Sequence, residues 1–383
     1  MRLFRHPLLA ATATVIGSSI GVGIFAIPYA VMKSGFSIGF LYMMAIGGMM
    51  LFTLLAYGEV VLRTSGKHQF TGYAQRYLGA PGRVLANISF IFGIYGALIA
   101  YLIEIANIIE GLVFGMSGWP KELYAVGFWC LAFFIIMAGL NALIRFEEFV
   151  TIGIMVLMLV VFFIGVSHVE AVNLATIHPQ HFFFPYGVIL FAFGSLACIP
   201  EIRNILVERH AAHKMPQALA FGIGGVTILY TVFTVMVVGI SGEQTTTSAI
   251  AGLGSALGPI VAVVGSLFGI MAIGNAFITS GFVLQEMYRY DFHYPKFFAL
   301  FVALLIPLVL YLLHVTNFIQ MISIIGAVSG GAQGVLIFEM FLRAKRTGDR
   351  EPEYTIRTIP ALIRGIELVF LGGVCYELVN LFV

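Results

Sequence analysis

Four short stretches of this chain place ion-binding groups inside otherwise apolar runs. The first, GSSIGVGIFAIPYA at residues 17–30, carries three glycines, two serines and a proline. Gly17, Gly21 and Gly23 let the backbone leave helical geometry, and Pro28 cannot continue the hydrogen-bond ladder and favours a fresh helical segment. A helix broken there exposes backbone N–H groups around Gly21, Val22 and Gly23, which suit a carboxylate. It also frees C=O groups at the end of the preceding half, which suit a cation or an ammonium group. The second stretch, FAFGSLACIPEI at 191–202, repeats the pattern with a Gly-Ser pair followed by Ile-Pro. The third, AFITS at 276–280, puts the hydroxyls of Thr279 and Ser280 and the carbonyl of Ala276 on one helical face, because positions i, i+3 and i+4 adjoin. The fourth is a single carboxyl, Glu104, within AYLIEIANI.

The elements that must position these groups follow from composition. Of 383 residues, 60% are hydrophobic and 10% charged, a balance that no water-facing surface of a globular protein tolerates. The chain reads as an all-α integral membrane protein. A helical span needs roughly 20 apolar residues, and eleven such runs occur, near 9–32, 37–62, 84–114, 123–143, 149–168, 183–206, 217–240, 257–284, 297–314, 318–342 and 360–382. These form one transmembrane domain over 1–383, with spans 1–5 (about 9–168) and 6–10 (about 183–342) as two halves and span 11 (about 360–382) in addition. The runs are too long and too weakly alternating for barrel strands, so lipid leaves the helix as the only way to satisfy the backbone.

Charge sets the expected orientation. With the N-terminus inside, all 20 Lys and Arg except Lys33 and Lys121 fall in cytoplasmic joints, as positively charged loops do. The C-terminus is then outside, and the expected location is the cell (inner) membrane. The net charge of +2 reports this topology and gives no sign of nucleic-acid binding. The basic cluster at 343–350 reads as an inside anchor within reach of anionic lipid.

Several chemistries are disfavoured. The two aspartates, Asp291 and Asp349, both lie in cytoplasmic joints, which argues against a lipid- or prenyl-processing enzyme using metal or phosphate chemistry. No H-E-x-x-H occurs, and His178 and His181 in HPQH have a proline between them and no acidic partner nearby, where a tetrahedral metal site needs three or four ligands. Cys130, Cys198 and Cys375 fall within spans, so no disulfide framework is expected. The chain is not expected to be an enzyme or to carry a cofactor.

Interrupted helices at corresponding positions of two halves point to an inverted-repeat transporter with its site between them. Taken alone, the first break is equally compatible with small residues packing tightly against a neighbouring helix. The second break, in span 6, favours the binding reading.

Together with KSGF, EVVLRT and AYLIEIANI, the two broken stretches resemble the amino acid permeases of the amino acid–polyamine–organocation superfamily. The nearest branches are the amino acid/auxin permeases and the bacterial aromatic amino acid permeases. The resemblance covers spans 1 to 10 and implies a LeuT-type five-plus-five inverted repeat with broken helices 1 and 6. One departure is an eleventh span in place of the twelve common in the wider superfamily. The resemblance implies a free amino acid whose carboxylate meets the N–H groups of Gly21, Val22 and Gly23, and whose ammonium meets carbonyls near Ser18 and Phe191, with Ser195 close by. Phe191 and Phe193 would cover the site and Tyr101 would reach the carboxylate. AFITS resembles the sodium site of LeuT-type symporters, which implies Na+ at Ala276, Thr279 and Ser280, completed by the carbonyls of Gly17 and Ile20.

The coupling ion has two readings. Sodium leads, and span 5 carries no lysine that would take its place, as one does in some proton-coupled relatives. The alternative is a proton carried by Glu104, because an ionisable residue at membrane depth is costly unless paired or protonated. A channel or an amino acid sensor without net transport are the other classes. Neutral substrates are favoured because no basic residue is fixed at the midplane. The partners expected are an amino acid, a coupling cation and the lipid bilayer; the sequence carries no signal for oligomeric state.

Overall fold

The computed structural model describes residues 6–113, 118–138, 159, 162–290 and 293–380. Most of expected span 5, the end of span 4, Arg2, Arg5, Arg145 and Asp291 lie outside these residues. Among the described residues there is no strand. Seven helices among the described residues are long and apolar enough to cross a bilayer: Phe36–Arg63, Phe70–Val113, Lys121–Ala138, Pro185–Glu208, Ala212–Gln244, Pro259–Arg289 and Phe318–Thr347. They correspond to expected spans 2, 3, 4, 6, 7, 8 and 10. Pro7–Ser19 and Gly23–Ser34, bent by 61°, form span 1 as a broken pair. Lys296–Leu312 stands at span 9; its 17 residues reach about 26 Å, slightly short of the hydrocarbon core. Pro360–Asn380 stands at span 11 and carries Arg364, Glu367 and Glu377.

Span 1 breaks at residues 20–22. Ile20 N–H still bonds Ile16 O at 3.0 Å, but Ile20 itself is extended (φ −75°, ψ 103°), and helical bonding resumes only with Ile24 N–H to Gly21 O and Phe25 N–H to Val22 O. The sequence expectation for Pro28 needs correction. It lies inside Gly23–Ser34 and does not start it, so the Gly21-Val22-Gly23 run sets the break. In span 6 the proline does mark a restart: Pro185–Ala192 ends, residues 193–198 leave regular α geometry, and Pro200 sits in the first turn of Ile199–Glu208, where its missing N–H costs nothing. Span 10 is also irregular, with a π-helical segment at Ile325–Gly330. The 44-residue helix Phe70–Val113 is two helices joined at Gly79, whose φ of 72° only glycine adopts readily.

Small residues bring the spans together. A Cβ on Gly23 would lie 2.8 Å from Ala192, so spans 1 and 6 cross backbone to backbone at their breaks. Gly326 of span 10 comes closer still to span 6, the place of its Cβ overlapping Gly187 O and lying 2.8 Å from Phe191 N. Without a hydrophobic force between helices in lipid, such close approach is what drives their association.

The arginine-rich end, called the basic end below, is closed by the segment between spans 10 and 11. Glu59 is fully buried and accepts from Arg63 (2.8 Å) and from Ile356 N–H (2.7 Å), with Lys345 Nζ at 3.3 Å. Tyr354 OH donates to Leu55 O at 2.7 Å. Asp349 takes Arg76 at 2.5 Å and Ser65 N–H at 3.0 Å, and these donors hold its carboxyl below the usual carboxylate range. Part of the basic cluster at 343–350 thus ties the segment to spans 2 and 3.

Candidate functional site

The two breaks face each other across Tyr230 of span 7. Ser19 and Ala192 are the last residues of the first halves of spans 1 and 6, and their carbonyls have no partner within their own helices. The Tyr230 hydroxyl lies 2.5 Å from Ser19 O and 2.9 Å from Ala192 O. It has one proton for two acceptors, so it caps both broken helices at once with a shared hydrogen. Tyr230 is fully buried, and Phe193 packs edge-on against it with ring centroids 5.4 Å apart.

Beside this bridge, the Gly21 backbone faces spans 3 and 8. A Cβ built there would stand 3.7 Å from Tyr101 Oη and 3.8 Å from Ala276 Cβ. Tyr101 in turn interacts with Ser280. Gly21, Tyr101, Ala276 and Ser280 therefore meet in one place, where the N–H groups of Gly21, Val22 and Gly23 lie between the two sets of helical bonds. The Thr279 hydroxyl is buried and makes no hydrogen bond among the described residues, not even to its own helix. Gly17 and Ser18 are exposed toward the basic end; Ser18 Oγ donates to Val15 O at 3.0 Å.

The span 6 residues divide between two sides. Phe191 is half-buried, with its Cδ1 3.3 Å from the place of a Gly23 side chain. Phe193 is fully buried on the side of spans 2 and 7, where its ring comes within 3.4 Å of the place of a Gly47 side chain. Ser195 is buried, and its hydroxyl reaches back to Phe193 O at 3.4 Å.

Glu104 lies one helical turn beyond Tyr101, away from the basic end. It is fully buried; Ser248 and Asn107 are beside it, but neither oxygen has a hydrogen-bond partner among the described residues. Next to it, a cavity of about 590 Å³ opens toward the opposite end, lined by residues that include Tyr29, Asn107, Lys121, His314 and Glu377. His178 and His181 form no metal group with other ligands among the described residues.

Two features escaped sequence reasoning. Tyr230 left only a faint signal, a lone tyrosine in the middle of an apolar run. The π-helical segment of span 10 was foreshadowed only by Gly326, Gly330 and Gly331.

Comparison with known proteins places these features in a family. The profile of the tryptophan/tyrosine permease family matches residues 5–380. A glutamine transporter 2 of Aliivibrio fischeri is 25% identical over 242 residues, covering 61% of each chain. A tyrosine-specific transport system 2 of Haemophilus influenzae is 21% identical over 53% of this chain and 52% of its own. The match thus spans about three fifths and one half of these relatives. The crystal structure of MhsT in complex with L-phenylalanine superposes with a TM-score of 0.66 at 12% identity, over 97% of this chain and 98% of that one. At that identity the likeness speaks for the fold, which is the LeuT-type arrangement of MhsT. With a family profile matched over nearly its whole length, the chain belongs to the tryptophan/tyrosine permease family.

Proposed function

We propose that this protein is a secondary active transporter in the cell (inner) membrane that imports a neutral amino acid, hydrophobic or aromatic in its side chain, by cation symport. The carrying observation is the convergence of the Gly21 backbone, the Tyr101 hydroxyl and Ala276 beside two broken helices that one tyrosine caps together. Relatives named for glutamine and tyrosine transport, and a fold neighbour holding phenylalanine, support the substrate class. In this reading the amino acid's carboxylate accepts from the N–H groups of Gly21, Val22 and Gly23 and from Tyr101. Its ammonium group turns toward the carbonyls beside Ser18 and Phe191, with Ser195 near, and Phe191 stands at the side-chain end. The basic end faces the cytoplasm, which puts the N-terminus inside and the C-terminus outside.

The coupling ion in this proposal is sodium, held by oxygens of Gly17, Ile20, Ala276, Thr279 and Ser280. The free Thr279 hydroxyl supports it, since a hydroxyl not bonded to its own helix has lone pairs to give. Binding of sodium and substrate should then reinforce each other by the same factor in both directions. The test is equilibrium substrate binding titrated with sodium against choline at fixed ionic strength and pH. Affinity should rise with sodium in the unmodified protein and become insensitive to it in Thr279→Val/Ser280→Ala. Equal binding and accumulation in choline overturns sodium coupling.

A second reading, proton coupling through Glu104, draws on its burial without a partner. Under that reading Glu104→Gln stops gradient-driven accumulation in proteoliposomes yet keeps exchange, whereas accumulation that survives assigns Glu104 a packing role. Saturable counterflow separates a carrier from a channel, and net accumulation separates it from a sensor.

A further inference from the structure

Two helix ends in this fold converge on one atom. Pro7–Ser19 and Pro185–Ala192 each finish in a carbonyl with no partner in its own helix, and a helix C-terminus carries about half a negative charge. Ser19 O and Ala192 O lie 2.5 and 2.9 Å from the same oxygen, the hydroxyl of fully buried Tyr230. Carbonyls at the ends of broken half-helices are the groups with which inverted-repeat transporters coordinate a sodium ion or a proton. Among the described residues, only the Tyr230 hydroxyl donates to either of them. The serine hydroxyls next to the breaks are engaged elsewhere: Ser19 Oγ donates to Val15 O at 2.9 Å, and Ser195 Oγ reaches Phe193 O at 3.4 Å.

We propose that the Tyr230 hydroxyl stands in for a cation at this carbonyl pair, so that the transporter takes one coupling cation at most. The consequence for coupling rests on the transport reading above, whereas the assignment of the pair holds whichever ion is coupled. A hydroxyl brings the positive end of a dipole to two negative helix ends without an ion that must be captured and released. The tie between spans 1, 6 and 7 is then independent of sodium concentration, and sodium acts only through the oxygens around Thr279 and Ser280.

A latent ligand set marks what the hydroxyl replaces. Thr234 lies four residues after Tyr230, on the same face of Met215–Ser241. It is fully buried, and its hydroxyl has no partner among the described residues. Shortening Tyr230 opens a space bordered by this oxygen and the two carbonyls, which are the hard oxygen ligands that hard cations take.

The experiment counts radiolabelled sodium bound per chain at equilibrium on the purified full chain in detergent. Melting temperature is followed alongside, in sodium against choline at fixed ionic strength and pH. Each measurement is repeated on a Thr279→Val/Ser280→Ala background, which removes the ligands proposed in span 8 and reads the carbonyl pair by itself. The unmodified protein should bind at most one sodium, and none on that background. Tyr230→Asn exchanges the ring for a carbonyl oxygen and room; it should bind one sodium more than its Tyr230 counterpart in both backgrounds, with a saturable rise in melting temperature. Tyr230→Phe keeps the ring and opens no such room, so it should gain none, which separates a new cation site from general loosening. Two sodium ions on the unmodified protein, one retained on the Thr279→Val/Ser280→Ala background, or no gain in a cooperatively melting Tyr230→Asn protein overturns the proposal. Where Tyr230→Asn does not melt cooperatively, the counts on the two Tyr230 proteins decide. No sodium on the unmodified protein refutes sodium coupling instead, and the gain in Tyr230→Asn still judges the carbonyl pair.

Discussion

Gly21 and Gly23 are two residues apart, yet adding one methyl to each should do opposite things. At Gly23 the new Cβ would stand 2.8 Å from both Cα and Cβ of Ala192 and 3.3 Å from Phe191 Cδ1. Backbone cannot swing aside as a flexible side chain can, so spans 1 and 6 must separate. Overpacking of this kind costs about 1–3 kcal/mol, partly offset by the about 0.4–1 kcal/mol that alanine gains over glycine by restricting the unfolded chain. At Gly21 the Cβ meets only ordinary contacts at 3.7 and 3.8 Å, and the backbone is not in the left-handed region. There the entropic gain stands alone. The difference between the variants is therefore about 2 kcal/mol, which for a chain of this size is a gap of several degrees in melting temperature. Substrate binding should reverse the order, because the Gly21 methyl enters the space before Tyr101 and Ala276. Thermal melts of Gly21→Ala and Gly23→Ala in one detergent, with equilibrium binding on the same samples, make the comparison. Equal melting temperatures, or a Gly21→Ala protein that binds as the unmodified one does, would refute the reasoning.

Tyr230→Phe removes the donor shared by Ser19 O and Ala192 O. It should cost about 1–3 kcal/mol, the penalty of buried acceptors left unpaired, seen as a lower melting temperature. Asp349 has a folded pKa held below its unfolded one by Arg76 and Ser65, so its contribution is full above about pH 3.9 and fades as pH falls through the lower folded value. Asp349→Asn should lower the melting temperature at neutral pH and flatten its decline in acid, and an unchanged acid profile would contradict the pairing. Glu59→Gln weakens the buried bonds to Arg63 and Lys345, and limited proteolysis should then cut the 348–359 segment faster than in the unmodified protein.

The breaks were legible because glycine and proline act locally. GSSIGVG announced the first one to within a residue or two, and Pro200 marked the restart of span 6. Pro28 misled because it sits in the second turn of Gly23–Ser34, within a helix that runs on past it, so its presence does not date the break. What packs against what was not legible. The rotation of span 7 decides whether Tyr230 faces lipid or the two carbonyls, and the run around it, apolar but for Thr227, Thr231 and Thr234, does not fix that rotation. The same holds for Phe193, which resembles Phe191 in sequence setting but is turned toward Gly47 and Tyr230. The basic cluster at 343–350 lies at one end of the molecule, but its pairing with Glu59 depends on tertiary contacts across nearly 300 residues of chain.

The most direct test of the site is equilibrium binding of labelled phenylalanine, tyrosine and glutamine to the purified protein and to Gly21→Leu. The leucine side chain would fill the space between the span 1 break, Tyr101 and Ala276. The expected result is saturable binding of at least one neutral amino acid to the unmodified protein and its loss in a Gly21→Leu protein that still inserts and melts cooperatively. Binding undiminished by Gly21→Leu would put the substrate elsewhere and contradict a site built on the two broken helices.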